Sequence, residues 1–349
     1  MVQSRDNFDE VNQSMSSYQV EKQLVLNYYQ ELDTASKNDI TKVMERYLDV
    51  HYIWRGFHPF NEQSSAKAVS ELFWQPLRHA FHHMQRRMDI FMAGRNEIDG
   101  SESVWVTSMG HLVGLFDNEW LGIAPTGKMI FLRYCEFNKI EHGKITETAM
   151  FFDIPHLMMQ AGLRPFPTQT AAHLVQPGPM THDGVMFEEQ DPKEGEKTLA
   201  AIDFMVNDLK NWKDAKKLPL VEELRRSWHE DMIWWGPAGI GATYTIERYA
   251  EQHSGPFRAA FTDRIFNGHL CRFAEGKFGG FFGWPNLTLT PTGEYMGMPT
   301  KAKPVDMRVI DMYRREGDKL SENWIFIDFL HFWNQQGVDI LAQIKETIK

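Results

Sequence analysis

Apolar residues recur at helical spacing from Val20 to Leu32, through Leu24, Leu26 and Tyr28, and a second helical stretch runs from Ile40 to Tyr47. The run Val50 to Trp54 is rich in β-branched and aromatic residues and reads as a strand. A helix is expected from Ala66 to about Met84. Strand character then returns at Met88–Met92, Ser103–Phe116, Met129–Ile140 and Lys144–Phe152. Asp99-Gly100, Pro125 to Gly127 and His142-Gly143 punctuate these runs as turns. A short helix from Pro155 to Ala161 closes the unit, with Gly162 where a left-handed residue ends a helix.

Residues 163–195 carry Pro165, Pro167, Pro177, Pro179 and Pro192 with little periodicity, and read as a linker. The pattern then restarts with a helix from Gly195 to Asn211. Its later strands are bounded by Glu275-Gly276, Pro291 to Gly293 and Glu316 to Asp318. The order in each unit is helices, a meander of strands, then a short helix. That order predicts an α+β class: two tandem cone-like domains, each a curved antiparallel sheet packed against N-terminal helices. The expected division is an arm at 1–18, a first unit at 19–162, the linker at 163–195 and a second unit at 196–349.

The two units also repeat residue by residue. Lys144, Glu147, Asp153, His156, Gln160 and Gly162 return as Lys319, Glu322, Asp328, His331, Gln335 and Gly337, each 175 positions on. Arg133 and Arg308 stand at the same offset. Earlier in the chain the offset is 180: Ile53, Trp54 and Gly56 match Ile233, Trp234 and Gly236, and Pro76, Arg78 and Phe81 match Pro256, Arg258 and Phe261. A length difference of five residues within 82–128 accounts for the change. A period this long marks a duplicated domain, not a solenoid.

Composition narrows the class. Of 349 residues, 42% are hydrophobic and 13% aromatic, which places the chain among globular proteins. There is no run of 18 apolar residues to span a membrane, and residues 1–18 lack the apolar core of a secretory signal, so a cytoplasmic location is expected. Cys135 and Cys271 sit in apolar strand-like runs at non-equivalent positions of the repeat and read as buried thiols. A net charge of -10 argues against nucleic acid as a partner.

Three stretches carry a resemblance to the SnoaL-like polyketide cyclases of the nuclear transport factor 2-like superfamily: Trp234 to Gly239, Pro125 to Lys128, and the repeated ending that runs from Lys144 to Gly162 and from Lys319 to Gly337. The first half departs from the pattern with Phe57-His58-Pro59 against Pro237-Ala238-Gly239, and the second with Lys301-Ala302 where Gly127-Lys128 stands in the first. The resemblance implies a cone with a deep apolar pocket, and pairing through sheets, here as an intrachain pseudo-dimer with further homo-oligomerisation open. It spans cyclases, isomerases, dehydratases, epoxide hydrolases and pure binding proteins, so fold alone does not choose among them.

In a strand, alternate residues share a face. Glu147, Ala149, Phe151 and Asp153 therefore stand together, as do Glu322, Trp324, Phe326 and Asp328. If that face lines the pocket, an aspartate projects among aromatics and is suited to acid/base work. The cyclases use an aspartate for aldol closure, and Asp153 and Asp328 match that position best. The alternative is that each caps the following helix. His156 and His331 could share its proton. Arg133 and Arg308 face the aspartates or not according to hairpin register. Trp54, Trp234, Trp235 and Trp324, with His79 and His83, are the candidate substrate contacts. His79 and His83 would lie one turn apart on a helix, but no third metal ligand accompanies them, and neither metal nor cofactor is expected. The expected function is cofactor-free cyclase, isomerase or lyase chemistry on a small apolar or aromatic molecule. A non-catalytic binding or assembly module and an Asp/Arg epoxide hydrolase-like or dehydratase enzyme are the alternatives.

Overall fold

A computed structural model of the chain describes residues 18–167, 169–210 and 218–347. The expected N-terminal arm lies outside them, apart from Tyr18. In the first half, helices α1 (Gln19–Thr34) and α2 (Ile40–Tyr47) precede β1 (Leu48–Gly56) and β2 (Glu62–Ser64). Helix α3 (Ala66–Val69) passes through a π turn into α4 (Gln75–Ala80). The long strands β3 (Phe81–Arg95), β4 (Val104–Phe116), β5 (Met129–Glu141) and β6 (Lys144–Phe152) follow, and α5 (Ile154–Gln160) closes the unit. The strands lie in the order β2-β1-β6-β5-β4-β3, antiparallel except for β1 with β6.

The expected helix to Met84 stops at Ala80. From Phe81 the backbone pairs with β4, Phe81 opposite Phe116, so the ladder overrides the helical pattern. His79 ends a helix while His83 lies in a strand, and both are exposed. They do not share one helix face.

The second half repeats the plan. Helices α6 (Pro192–Lys210) and α7 (Leu220–Leu224) precede β7 (Trp228–Trp235) and β8 (Ala242–Tyr244). Helices α8 (Ile246–Tyr249) and α9 (Gly255–Ala260) follow, again joined by a π turn. Strands β9 (Phe261–Phe266), β10 (Cys271–Glu275) and β11 (Phe278–Pro291) lead to a small ribbon of β12 (Glu294–Tyr295) and β13 (Met298–Pro299). Then come β14 (Val305–Glu316), β15 (Lys319–Ile327), α10 (Phe329–Gln335) and α11 (Ile340–Thr347). The order β10-β11-β14-β15-β7-β8 matches the first sheet, with β9 also on β11. The length difference between the halves falls mainly in one hairpin: residues 96–103 join β3 to β4, whereas only Gly276-Lys277 join β10 to β11.

The repeated aromatic-x-Gly motif has a packing cause. The indole of Trp54 folds back over Gly56, where a Cβ would stand 2.1 Å from the ring, and Trp234 does the same over Gly236 at 1.9 Å. Only glycine permits that return.

The two sheets pack face to face. Phe282 meets Trp105 at 5.5 Å and Phe137 at 5.3 Å between ring centroids, and Phe273 meets Phe137 at 5.8 Å. Ala149, Phe151, Trp324, Phe326, Ile310 and Met312 belong to this layer, as do Cys135 and Cys271, both free thiols that burial holds protonated. Buried Lys22 of α1 crosses to Glu275 of β10 at 2.6 Å. Residues 169–191 run over the join: Phe91 donates to the Gly184 carbonyl, and Ala172 bridges to Ala242. Among the described residues no helix is long and apolar enough to cross a membrane.

Candidate active site

The opposite face of the second sheet turns toward α6 to α9. Along β14 the residues alternate: Ile310 and Met312 enter the layer between the sheets, while Val309, Asp311 and Tyr313 point the other way. On β15, Trp324 and Phe326 face the first half, and Asn323, Ile325 and Ile327 face the helices. Between this second face and the helices lies a cavity of about 140 Å³. That is close to the volume that accommodates a benzene ring. Its walls are chiefly apolar, with Trp228, Trp234, Phe257 and Phe281 among them.

Asp311 is the carboxylate of this cavity and is 6% exposed. Asn323 Nδ2 donates to its Oδ1 at 3.0 Å. Burial raises its pKa to about 7, against the pull of hydrogen bonds from Asn323 and Tyr313 and of Arg133 on the far side of the sheet. Two histidines also line the walls. His253 stacks on Trp234 at 3.9 Å, and His269 stacks on Phe281 at 3.8 Å. Burial lowers each to about 3, so both are neutral imidazoles at physiological pH. Among the described residues His269 Nδ1 has no partner. Lys210, Arg258 and Arg264 also line the cavity, and Arg258 is held by Glu223 at 2.7 Å.

The first half fills the corresponding space. Glu136 stands where Asp311 stands, 175 positions earlier, and Arg86 pairs with it at 3.0 Å. The Arg86 guanidinium lies 3.9 Å over Tyr29, with Trp74 and Tyr134 beside it. At the matching positions the second half has Phe266 for Arg86, Ser254 for Trp74 and Val309 for Tyr134. A bulky cation and two rings give way to smaller or uncharged groups, and the space opens.

Asp153 and Asp328 lie at the join between the halves; neither lines this cavity. Each caps its helix by accepting the amide of His156 or His331, at 3.1 Å in both cases. Each also accepts an amide from the other half. Ala238 N–H reaches Asp153 Oδ2 at 3.1 Å, and His58 N–H reaches Asp328 Oδ2 at 2.9 Å. The arginines are brought to the same place: Arg133 lies 3.6 Å from Asp153 and donates to the Trp235 carbonyl, while Arg308 lies 3.4 Å from Asp328 and donates to Asn61. Burial raises Asp328 to about 7 despite Arg308.

Of the other candidates, buried His156 bonds the Leu174 carbonyl and Gln160, and burial lowers His331 to about 4. Trp54 packs on Phe73 in the first core, and Trp324 donates to the Pro177 carbonyl. Trp234 lines the cavity, while its neighbour Trp235 faces the join. His79 and His83 lie at neither place. Among the described residues no group of three or more His, Cys, Asp or Glu is arranged to hold a metal.

The Asp153→Asn substitution tests the tie directly. An amide there presents a donor to one of two N–H groups, and stability should fall by about 1–3 kcal/mol. A urea midpoint equal to the parent's would remove the bond to Ala238 from the account.

The sequence model of one family, described as SnoaL-like polyketide cyclase, matches residues 221–336. Among solved structures, a protein from Jannaschia Sp. CCS1 described as a SnoaL-like polyketide cyclase is 16% identical, covering 45% of this chain and 96% of that one, with a TM-score of 0.34. IdmH from Streptomyces antibioticus, described as a polyketide cyclase, is 19% identical over 40% of this chain and 99% of its own, at 0.31. An NTF2-like protein from Burkholderia thailandensis E264 is 18% identical over 41% and 96%, at 0.30. No curated protein matches the chain. The family match takes in Trp228, Trp234, Asp311 and Asn323, so the cavity of the second half lies in the stretch that is similar to the SnoaL-like polyketide cyclases.

Proposed function

We propose that the chain is a tandem SnoaL-like enzyme of two domains, 19–162 and 196–349, whose second domain performs cofactor-independent acid/base chemistry on a small molecule with an apolar or aromatic body. The observation that carries this reading is Asp311, a carboxyl of pKa about 7 buried in an apolar, ring-sized cavity. At neutral pH such a group is close to half ionised, so it can take a proton in one step and return it in the next. The chemistry that fits is removal of a proton from carbon next to a carbonyl. The resulting enolate carbon then attacks a second carbonyl, or reprotonates elsewhere in an isomerisation, and Asp311 returns the proton to the oxygen or carbon that has gained charge. Neutral His269, with Nδ1 unpartnered, is suited to hydrogen-bond the substrate oxygen, and Trp228, Trp234 and Phe281 would hold the ring. In this reading Asp153 and Asp328 join the domains, and the first domain is a support with its own pocket filled.

The test uses proton transfer itself, which does not require the natural substrate. The protein is incubated in deuterated water with enolisable aryl ketones such as acetophenone and β-tetralone, and loss of α-protons is followed by NMR. Exchange faster than in buffer, abolished in Asp311→Asn, is the expected result. Exchange that is no faster than in buffer, or equal in the variant, would overturn the assignment.

A further inference from the structure

A second cavity, of about 410 Å³, lies between the two halves beneath the segment Pro177–His182. It is separate from the Asp311 cavity, on the other face of the second sheet. Its apolar walls include Met88, Pro177, Pro179, Val185 and Ile233, and its polar side chains are Asp89, Glu322, Trp235 and the exposed His182. In the parallel pair β7–β15, Trp235 stands opposite Trp324 and Glu322 opposite Ile233. Glu322 and Trp235 are therefore about two residues apart along the strands, roughly 7 Å, on the face turned to the first half.

Two polar groups in this wall lack what burial demands. Glu322 is 1% exposed, and among the described residues its Oε1 accepts nothing. Trp235 is 9% exposed, and its indole N–H has no acceptor among the described residues. A buried polar atom without a partner costs about 1–3 kcal/mol. The charge of Glu322 is not the unmet need, because its Oε2 receives Arg314 Nε at 2.7 Å and the Met180 amide at 3.3 Å. Asp89 Oδ2 lies 3.4 Å from His111 Nδ1. At Glu322 a further cation is not called for. What the wall lacks is one donor and one acceptor.

We propose that this crevice is a ligand site for a small neutral hydroxylated molecule with an apolar body, a phenol or an alcohol. A hydroxyl can donate, which Glu322 Oε1 requires, and can accept, which Trp235 Nε1 requires. The methionines and prolines enclose the apolar part, and methionine adapts readily to ring-shaped partners. The space far exceeds one water, whose share of liquid volume is about 30 Å³. Pro177 and Met180 form the cover: the Pro177 carbonyl is held by Trp324 Nε1 at 3.0 Å, and Met180 by Glu322 itself. Glu322 thus touches both cover and ligand.

The experiment uses the full chain with labelled tryptophan indoles, p-cresol as the probe, toluene as its hydroxyl-free counterpart and benzylamine as a cation. Trp235→Phe identifies the Trp235 indole signal by its loss and keeps a ring in place. Binding of p-cresol to the parent and variants is read independently from the cresol methyl signal by saturation transfer. The expected result is that p-cresol moves the Trp235 indole signal, that toluene does so at least about tenfold more weakly, and that Trp235→Phe and Glu322→Gln each weaken cresol binding by a similar factor. Trp228 and Trp234 report separately on the Asp311 cavity, so binding there is distinguishable. A Trp235 signal unmoved by cresol, equal response to toluene, stronger binding of benzylamine, or unchanged cresol affinity in Trp235→Phe would each overturn the proposal. If Glu322→Gln fails to fold, Trp235→Phe decides alone.

Discussion

Asp311→Asn should lower the proton-transfer rate by ~10²–10⁴ while raising stability above pH 7. The two effects have one cause. A carboxyl with a folded pKa of about 7 binds protons more tightly in the folded chain than in the unfolded one, where aspartate titrates near its ordinary value. Between the two values the folded state holds the extra proton, so stability is greatest below the unfolded pKa and declines as pH rises toward 7. The decline attributable to this one group is at most about 4 kcal/mol. Asparagine cannot ionise, so the variant escapes it. Asp328 is also raised to about 7 and contributes a decline of the same sign, but it is present in both proteins and cancels in the comparison. For the parent, a general base predicts a rate that climbs with pH and levels off above about 7. Urea melts at pH 5 and pH 8, beside the exchange assay, test both halves of the expectation. A variant that stays active, or is weaker than the parent at pH 8, would make Asp311 a structural residue.

In the first half the largest effect is expected from Arg86. Arg86→Ala leaves Glu136, 2% exposed, as a buried carboxylate without its cation. Breaking such a pair costs about 3–5 kcal/mol, because the remaining charge has neither water nor partner. Asp33 also contacts Arg86, at 3.1 Å, but is partly exposed and can be rehydrated. Replacing both partners, Arg86→Met with Glu136→Leu, removes both charges and keeps much of the volume. That chain should be as stable as the parent or more so. Proton transfer in the second half should survive the double replacement, since Asp311 lies in another core. Equal losses in the single and double variants would mean that packing, not charge, holds this position.

The repeat, the element order and the helix-then-strand plan could be read from the residues because each leaves a local mark. Turn dipeptides, the aromatic-x-Gly return and the caps at Asp153 and Asp328 are of this kind. The face of the sheet that lines the cavity left no such mark. Strand β15 is buried on both sides from Leu320 to Ile327, so both alternating sets carry apolar residues: Leu320, Trp324 and Phe326 in one, Ile325 and Ile327 in the other. Choosing the face of Trp324 and Phe326 put Asp328 in the pocket; the cavity is on the face of Asn323 and Ile325. The signal for Asp311 was nonetheless present. It stands between Ile310 and Met312, in phase with Val309 and Tyr313, and the repeat sets it against Glu136. What the sequence could not reveal is that Arg86 meets Glu136, 50 residues away, whereas the amide of Asn323 meets Asp311. The paired histidines misled for another reason, since strand pairing from Phe81 outweighed the helical spacing.

The reciprocal bonds from Ala238 to Asp153 and from His58 to Asp328 form a twofold relation between sequences that are no longer the same. When a symmetric dimer is built from two identical chains, every substitution is made twice, and a residue that plugs one pocket plugs both. Joining the copies into one chain lifts that restriction. One copy can then exchange its hollow for a solid interior and serve as a brace, while the other keeps an opening whose destabilising buried carboxyl the brace helps to support. Asymmetry between Arg86 and Phe266, or between Trp74 and Ser254, is available only to a molecule that writes its two halves separately.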